Sequence, residues 1–300
     1  MKVCVLGAGG LLGHMLIRVL GESFDVYGST RESATTSSPL AKFLPQGQWI
    51  GEVDASKPAS INKVFVADNF DVVINCVGLI KQRNSQVTDD EMMSINGEFP
   101  HYLAQVANSH GAKVIHISTD CVFSGLTGNY FETETPDPID VYGKSKLLGE
   151  LNDTRNLTLR TSHIGRELTT RKIFVDWLLS QRGGRVYGYS HAIYSGLTTR
   201  ELSRLIGGLM HTNFGVTGLF HVSSEPISKL EIINKLNELL DLQIVVTPDS
   251  SVKVNRSLNS EKFQALTSIT PTSWDTMLAE FCQDQKIYEL VADPYLQKTR

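Results

Sequence analysis

Tyr142 and Lys146 are the two residues whose types and spacing point most directly to chemistry. They stand four positions apart, so a helix would carry both side chains on one face. An ammonium beside a phenol stabilises the phenolate and lowers the pKa of the tyrosine toward the working pH. We therefore expect Tyr142 to give a proton to a carbonyl oxygen while a hydride reaches the carbon, with Lys146 tuning the phenol.

A glycine loop at the N-terminus predicts a dinucleotide site. Gly7, Gly10 and Gly13 follow the first strand-like run and open the first helical pattern, with Leu11 and Leu12 between them. Glycines at these points allow a tight turn and a close approach of the backbone to a pyrophosphate. The helix N-terminus adds free N–H groups and a positive dipole end. This context favours dinucleotide binding over a purely structural turn.

A hydroxyl between these two features completes the set. Thr119 stands where an apolar, strand-like run ends, and doubly wound sheets bind their ligands at that edge. Its hydroxyl can hydrogen-bond the same carbonyl oxygen and stabilise the developing alkoxide. The glycine loop, this hydroxyl and the Tyr142/Lys146 pair occur in the order that a short-chain dehydrogenase requires. We expect Tyr142 and Lys146 to contact the nicotinamide ribose as well.

The end of the predicted second strand favours NADP over NAD. NAD-binding folds place an acid there to hold the ribose hydroxyls, whereas this strand ends in Ser29, Thr30 and Arg31. A guanidinium suits a 2′-phosphate, and either hydroxyl could donate to it. We therefore expect NADPH as the cofactor. The alternative is that Arg31 is simply a solvated loop residue.

Two further segments fit the cofactor. Asp54 follows the third strand, where an acid can accept a hydrogen bond from the adenine amino group, although it could equally cap a helix before Pro58. Cys76, Val77 and Gly78 end the fourth strand, where a small-residue turn would pass along the nicotinamide ribose.

The elements that must position these residues alternate along the first half of the chain. Strands are predicted at Val3–Leu6, Val26–Ser29, Val72–Val77, Val114–Ser118 and Leu157–Arg160. Helices are predicted at Leu11–Leu20, Glu91–Ser109 and Ile139–Leu151. Because most strands are apolar almost throughout, they predict a parallel sheet covered on both faces. The fold class is α/β, a doubly wound Rossmann sheet with a smaller mixed α/β substrate lobe.

The domain organisation follows from a change of pattern near residue 165. Residues 1–164 are predicted to form the NADP-binding Rossmann domain, and residues 165–300 mainly the substrate lobe, with some later segments returning to the sheet. In the second part, Ile173–Leu179 and Ser228–Leu240 have helical spacing and Gln243–Thr247 resembles a strand. Ser33–Ser38 lacks periodicity and predicts a surface loop.

The composition limits the partners. A net charge of −4 and a pI near 6.1 argue against nucleic acid or an anionic membrane, which would require a basic face. No apolar run is long enough to span a bilayer, and the first residues read as a strand rather than a signal peptide. None of the four cysteines forms a CxxC pair, so we expect free thiols, no metal site and a cytoplasmic protein.

Three longer stretches carry a family resemblance. They are Ser118-Thr119-Asp120-x-Val122-Phe123-x-Gly125, Tyr142-Gly143-Lys144-Ser145-Lys146-Leu147-x-Gly149-Glu150 and Leu159-Arg160-Thr161-Ser162. Together they resemble the dTDP-4-dehydrorhamnose reductase family of extended short-chain dehydrogenases/reductases. The resemblance implies reduction of the 4-keto group of a nucleotide-bound 6-deoxyhexulose with NADPH or NADH. It also implies that Asn96 supports the active site through backbone and water contacts.

Two departures from the family pattern bear on the substrate. Cys121 stands where the family often has tyrosine, and His163 where it has tryptophan. Both positions, with Asp120 beside them, are expected near the sugar. We infer a substrate other than plain dTDP-4-dehydrorhamnose, for example a UDP-linked 2-acetamido-4-keto-6-deoxyhexose. His163 could donate to an acetamido or hydroxyl oxygen, or it could only pack or face solvent; Cys121 is expected in the pocket wall rather than as a nucleophile.

Cations in the second half are candidates for the substrate diphosphate. Arg166, Arg171 and Arg200 could clamp it, although a surface-charge role is at least as probable for each one. Ala192–Thr199 resembles the family segment that closes over the nucleotide-sugar. His221 is expected to support the junction of the two lobes.

The sequence thus predicts an NADPH-dependent oxidoreductase acting on a UDP- or dTDP-linked 4-keto-6-deoxysugar in the biosynthesis of a deoxysugar or glycan precursor. Two alternatives stay open. One is a nucleotide-sugar epimerase or dehydratase of the same superfamily, which would retain and recycle NAD. The other is a non-catalytic NADP-binding regulatory subunit. A homodimer is compatible with the sequence.

Overall fold

The computed structural model describes residues 1–33, 48–80, 87–168 and 172–289. Its strands are β1 (Lys2–Leu6), β2 (Asp25–Ser29), β3 (Trp49–Ile50), β4 (Val72–Asn75), β5 (Lys113–Thr119), β6 (Leu157–Thr161), β7 (His163–Ile164), β8 (Arg185–Tyr194), β9 (Leu197–Thr198), β10 (Gly218–His221), β11 (Ile227–Ser228) and β12 (Val245–Asn255). Its helices are α1 (Gly13–Leu20), α2 (Asn62–Ala67), α3 (Asp89–Met92), α4 (Phe99–Ser109), α5 (Val141–Leu148), α6 (Phe174–Ser180), α7 (Thr199–Thr212), α8 (Lys229–Leu239), α9 (Glu261–Thr267), α10 (Trp274–Gln283) and α11 (Gln285–Glu289).

A parallel sheet of seven strands dominates the described part of the chain. Its order is β10-β6-β5-β4-β1-β2-β3, and every neighbouring pair runs parallel. The strand order reverses between β1 and β4, and open α/β sheets bind ligands at the carboxyl side of such a switch point. The predicted doubly wound parallel sheet is confirmed.

Alternate residues of each strand explain why helices cover both faces. Val3 and Val5 of β1 belong to a core cluster that includes Leu16 of α1. Cys4 and Leu6 belong to the opposite cluster, which includes residues of α2 and α4. Because successive strand side chains point to opposite faces, a strand that is apolar throughout requires cover on both.

Segments after residue 165 return to this sheet. β10 pairs with β6 as an edge strand, and α7 packs beside α1. The remaining strands form a sheet of order β11-β8-β12 and a two-stranded sheet of β7 and β9. One core cluster runs through both parts, joining Leu16 of α1 to Leu236 of α8. The chain therefore returns to the large sheet after residue 165, and the division into lobes near residue 164 stays a prediction.

Several element bounds differ from those predicted. The helix expected at Glu91–Ser109 consists of α3, a π-helix at Met93–Glu98 and α4. The strand expected at Gln243–Thr247 begins at Val245 and continues to Asn255 beside β8. The loop expected at Ser33–Ser38 lies outside the described residues beyond Ser33. Among the helices that the structure describes, none is both long and apolar enough to cross a membrane.

Candidate active site

A cavity of about 570 Å³ lies at the carboxyl ends of the central strands. It brings together the sequence-predicted residues Gly10, Leu11, Leu12, Cys76, Val77, Gly78, Thr119, Asp120, Cys121, Tyr142, Lys146 and His163 in its lining. These residues come from five separate stretches of the chain and meet because parallel strands end at the same edge of a sheet.

The glycine loop is shaped by close backbone contacts. Gly7 has a φ of +74°, which favours glycine. A Cβ added at Gly13 would lie 2.3 Å from the carbonyl oxygen of Gly7. The imidazole Nδ1 of His14 lies 2.8 Å from the carbonyl oxygen of Gly10 and holds the turn from the helix side. Gly10, Leu11 and Leu12, which lead into α1, line the cavity, so the N-terminus of α1 lies beside it, which fits the diphosphate of a dinucleotide.

The end of β2 lies beside the glycine loop, outside the lining of the cavity. The carbonyl oxygen of Ser29 accepts a hydrogen bond from the Ala8 N–H at 3.0 Å. The Thr30 hydroxyl donates to the carbonyl oxygen of Glu32. Arg31 is exposed and acts electrostatically on Asp54.

The Asp54 carboxylate is engaged in a local turn. It accepts hydrogen bonds from the Ser56 N–H at 3.0 Å and from the Ser56 hydroxyl at 2.8 Å. This is an Asx-type turn rather than a cap of the helix after Pro58. One carboxylate oxygen makes both bonds, so the turn is compatible with the adenine contact predicted for this residue.

Helix α5 carries the Tyr142/Lys146 pair into the cavity. Asp140 caps the helix, because its carboxylate accepts a hydrogen bond from the Gly143 N–H at 2.7 Å. A Cβ at Gly143 would lie 2.2 Å from the carbonyl oxygen of Cys121. The glycine between tyrosine and lysine therefore lets α5 lie directly against the segment that follows β5, which brings Tyr142 and Thr119 to one wall.

Lys146 is buried in a site that disfavours its charge. Its ammonium donates to the carbonyl oxygen of Ile117 at 2.6 Å, and burial lowers its pKa to about 8. An ammonium with this pKa is present mainly below pH 8 and is lost above it. At neutral pH the Tyr142 phenol thus has the Lys146 ammonium as a cationic neighbour. This ammonium loses its proton at a pH only slightly above neutral.

The tautomer of His116 also favours the neutral form of Lys146. The Asn75 side-chain oxygen accepts from the Val77 N–H, so its amide nitrogen donates to His116 Nδ1 at 3.1 Å. His116 Nε2 then carries the ring hydrogen and faces Lys146 Nζ at 3.4 Å. Because an ammonium offers no acceptor, this contact favours the neutral amine. Burial in turn lowers the pKa of His116 and keeps its ring neutral.

Thr119 is held at the end of β5 by its neighbours. Its hydroxyl oxygen accepts from the Cys121 N–H at 3.1 Å and the hydroxyl donates to the Asp120 carboxylate at 3.2 Å. Burial raises the pKa of the Asp120 carboxyl. The Thr119 hydroxyl can rotate toward the cavity at the cost of this one hydrogen bond.

Asn96 links the two walls of the cavity from behind. It is fully buried in the π-helix, a feature that often marks functional sites. Its side chain exchanges two hydrogen bonds with the Leu79 backbone, at 2.8 and 3.0 Å, and donates to the Ser145 hydroxyl at 3.0 Å. Ser145 in turn donates to the carbonyl oxygen of Tyr142. Asn96 therefore positions the β4 turn and α5 relative to each other.

One hydrogen-bond network joins the three stretches that carry the family resemblance. The Ser118 hydroxyl donates to the Glu150 carboxylate at 2.7 Å. Arg160 donates to both oxygens of that carboxylate, at 2.8 and 2.7 Å, in a bidentate pair. Arg160 also contacts the buried His221 ring at 3.3 Å, which ties β10 to the site as expected for the lobe junction.

A family model described as the RmlD substrate binding domain matches residues 1–287 of the chain. The chain belongs to this family. A probable low-salt glycan biosynthesis reductase of Haloferax volcanii is 31% identical over an alignment of 238 residues, which covers 75% of this chain and 75% of that protein. A dTDP-4-dehydrorhamnose reductase of Burkholderia thailandensis is 26% identical, covering 87% of this chain and 89% of its own.

A solved structure agrees with this membership. The hypothetical dTDP-4-dehydrorhamnose reductase of Sulfolobus tokodaii has a TM-score of 0.72 and 28% identity, covering 89% of this chain and 95% of its own. The family resemblance seen in the sequence is therefore confirmed, and with it the oxidoreductase class that the resemblance implied.

Both departures from the RmlD-family pattern lie on the cavity wall. Cys121 Sγ lies 3.7 Å from Nη1 of Arg256, and burial raises the pKa of the thiol to about 12. A thiol with this pKa is neutral, so it lines the wall without acting as a nucleophile. His163 of β7 also lines the cavity, within the segment that leads from the sheet into the second lobe.

Arg166 and Arg200, two of the three arginines expected to clamp a diphosphate, are not in the lining of the cavity. Arg166 is fully buried, and its guanidinium donates to Asp176 and to Gln285, both at 3.0 Å. Arg200 of α7 pairs at 2.6 Å with Asp284, the residue between α10 and α11. The structure thus corrects the prediction for both residues, since each guanidinium is engaged in holding elements together. Arg171 lies outside the described residues.

Several residues of the cavity wall were missed by the sequence reasoning. Lys172, Phe174 and Trp177 line it from α6 and the turn before it, and Lys229 lines it from the start of α8. A lysine in the first turn of a predicted helix is the signal that was available for Lys229, because a cation is unfavourable at that end of the helix dipole.

Proposed function

We propose that this protein reduces the 4-keto group of a nucleotide-linked 6-deoxyhexulose with NADPH. One observation carries the proposal: Thr119, Tyr142 and Lys146 line the same cavity as the glycine loop. A hydroxyl, a phenol and an ammonium beside a dinucleotide cradle are the groups needed to protonate a carbonyl oxygen while its carbon receives hydride.

The roles of the side chains follow from their contacts. NADPH bound along the glycine loop would supply the hydride. Tyr142 gives its phenolic proton to the carbonyl oxygen, and the Lys146 ammonium stabilises the phenolate that remains. The Thr119 hydroxyl, turned away from Asp120, donates to the same oxygen and holds the carbonyl in line.

The phosphorylated cofactor is supported by the end of β2. Arg31 is an exposed cation there, next to the Thr30 hydroxyl and close to the glycine loop through the Ser29 contact. A guanidinium and a hydroxyl suit a 2′-phosphate. The strand ends at Ser29, followed by Thr30 and Arg31, and so lacks the carboxylate that NAD-binding folds place there to hold the ribose hydroxyls. We therefore assign NADPH in preference to NADH.

The substrate is proposed to be a UDP- or dTDP-linked sugar with a group that plain dTDP-4-dehydrorhamnose lacks, such as an acetamido at C2. Cys121 is smaller than the tyrosine usual at its position, and His163 offers a polar ring in place of tryptophan. Lys172, exposed at the mouth of the cavity, takes over the diphosphate role expected of the arginines. The relatives named for reductases of glycan and dehydrorhamnose synthesis support this class.

The test is a turnover assay with a panel of UDP- and dTDP-linked 4-keto-6-deoxyhexoses, each offered with NADPH and then with NADH. We expect one NADPH to be oxidised for each sugar reduced, with the product gaining two hydrogens by mass spectrometry. Purified protein that carries NAD and rearranges sugars without consuming NADPH would instead support an epimerase or dehydratase. NADPH binding without turnover of any sugar would support the regulatory subunit.

A further inference from the structure

Among the described residues that line the cavity, Lys229 is the lysine to which the chemistry above gives no role. It is the first residue of α8 and lines the cavity. Its ammonium lies 4.4 Å from the ring centre of Tyr194 and 4.9 Å from that of Phe174. Two aromatic faces therefore hold the ammonium on the cavity wall through cation–π contact.

This position is unfavourable for the stability of the fold. A cation in the first turn of a helix opposes the helix dipole. The N-terminus of α8 is already satisfied by a capping box, in which Ser228 and Glu231 bond each other's backbone N–H groups. Across the four described ranges, Lys229 Nζ has no hydrogen-bond acceptor and no carboxylate in ion-pair contact. Lys229 is partly exposed, so its three N–H donors can bond a ligand that enters the cavity.

The charged residues near Lys229 indicate which kind of ligand group it can bind. Asp120 and Cys121, the two residues that follow Thr119, act electrostatically on Lys229. All four residues line the same cavity, so Lys229 lies near the part of it where the carbonyl reacts. An ammonium and a buried carboxylate in the lining of one cavity suit an uncharged group, because a hydroxyl can accept from the ammonium and donate to the carboxylate. A diphosphate in the same place would meet the charge of Asp120.

We propose that Lys229 is a specificity-determining residue that binds an uncharged oxygen of the hexose, a ring hydroxyl or an amide carbonyl, with Asp120 facing the same sugar. This assignment rests on the proposed function, since it takes a nucleotide-sugar as the ligand. In this assignment Lys229 recognises the sugar, and Lys172 at the mouth of the cavity binds the diphosphate.

The experiment compares the binding of nucleotides with and without a sugar. The wild type, Lys229→Met and Lys235→Met are titrated calorimetrically with UDP, UDP-glucose, UDP-N-acetylglucosamine, dTDP and dTDP-glucose in the presence of NADP. Lys235→Met is the matched control, because Lys235 stands on the same helix and pairs with Asp275 at the surface. Affinity for NADP and the unfolding midpoint are measured alongside, to show that each variant is folded.

We expect Lys229→Met to lose about tenfold or more in affinity for the sugar nucleotides, as for a lost charge-assisted hydrogen bond. Its affinity for UDP, dTDP and NADP should match that of the wild type and of Lys235→Met. A larger loss for UDP-N-acetylglucosamine than for UDP-glucose would place the amide carbonyl on Lys229, and an equal loss would place a hydroxyl there.

Two results would overturn the assignment and leave the proposed function standing. One is an equal loss for nucleotides with and without sugar, which would place Lys229 on the diphosphate. The other is an unchanged affinity for every probe that the wild type binds. A wild type that binds none of the five probes would count against the nucleotide-sugar class itself, and this assignment would fall with it.

Discussion

At the scale of single residues, Lys146 is a cavity-lining side chain whose charge is controlled by its burial. Burial is the main cause of its low pKa, and the neutral His116 ring faces it with an N–H rather than a lone pair. The carbonyl oxygen of Ile117 accepts from the amine in either charge state. The site therefore holds an ammonium that can be discharged within the physiological pH range.

The pH dependence of the reaction follows from this pKa. Because the lysine pKa is lowered to about 8, the ammonium that stabilises the phenolate is present below pH 8 and lost above it. We expect kcat/KM to be level toward neutral pH and to fall as the pH rises through about 8. In Lys146→Arg, which keeps its charge at all these values, the fall should move to higher pH. Steady-state rates across the range check this, and a profile for Lys146→Arg that overlays the wild type would contradict it.

At the scale of elements, close backbone approach decides how the site is built. Gly13 lets α1 begin against Gly7, and Gly143 lets α5 lie against the segment after β5. Neither position has a left-handed φ. Glycine is needed there because a Cβ would collide with a neighbouring carbonyl oxygen, which is a requirement of packing rather than of backbone conformation.

Gly13→Ala tests this for the cofactor loop. The new Cβ would lie 2.3 Å from the Gly7 carbonyl oxygen, so the loop must shift and NADPH should bind about tenfold or more weakly. Gly215→Ala is the control, since a Cβ there meets nothing within 4 Å. Fluorescence titration with NADPH measures both variants. Wild-type affinity in Gly13→Ala would show that the tight turn is not required for the cofactor.

The sequence predicted the elements that repeat a simple pattern and missed those set by distant contacts. Continuous apolar runs identified β1, β2, β4, β5 and β6 to within two residues. The π-helix was read as part of one long helix, because its irregularity follows from Asn96 reaching Leu79 and Ser145 across the site. The short strand β10 carries no pattern of its own and becomes a strand by pairing with β6.

The same contrast holds for the site. Motif spacing predicted Thr119, Tyr142 and the glycine loop, because their neighbours in the sequence determine where they point. Arg166 was assigned to the diphosphate on its residue type alone, and Lys229 was overlooked. Their environments depend on residues that lie far away in the chain, Gln285 for the first and Asp120 for the second.

At the scale of the whole molecule, buried polar contacts join the lobes. Arg166 donates to Asp176 and Gln285, and its guanidinium lies 4.8 Å from the Tyr288 ring centre. The Tyr288 hydroxyl in turn lies 3.0 Å from Nε2 of His14 in α1. The C-terminal helix α11 is thereby connected both to the segment after β7 and to the helix that follows the glycine loop.

Arg166→Met is expected to lower stability and not substrate binding. Removing the arginine leaves the Asp176 carboxylate buried without its cation, which costs about 3–5 kcal/mol for pairs of this kind. The double variant Arg166→Met/Asp176→Leu should recover part of this loss, because both charges are gone. Urea unfolding measures the free energies, and KM for the sugar nucleotide is recorded beside them. An unchanged free energy of unfolding with a raised KM would instead support the predicted role of Arg166 in binding the diphosphate.

The most direct test of the whole account is the turnover of Tyr142→Phe with NADPH and the best keto-sugar of the panel. This variant removes one hydroxyl and keeps the ring, so stability should match that of the wild type, and rates are taken at saturating NADPH because the hydroxyl is also expected to contact the nicotinamide ribose. We expect kcat to fall by about a hundredfold or more, as for the loss of a general acid. A variant that turns over at nearly the wild-type rate would contradict the role of the phenol, and with it the proposed mechanism.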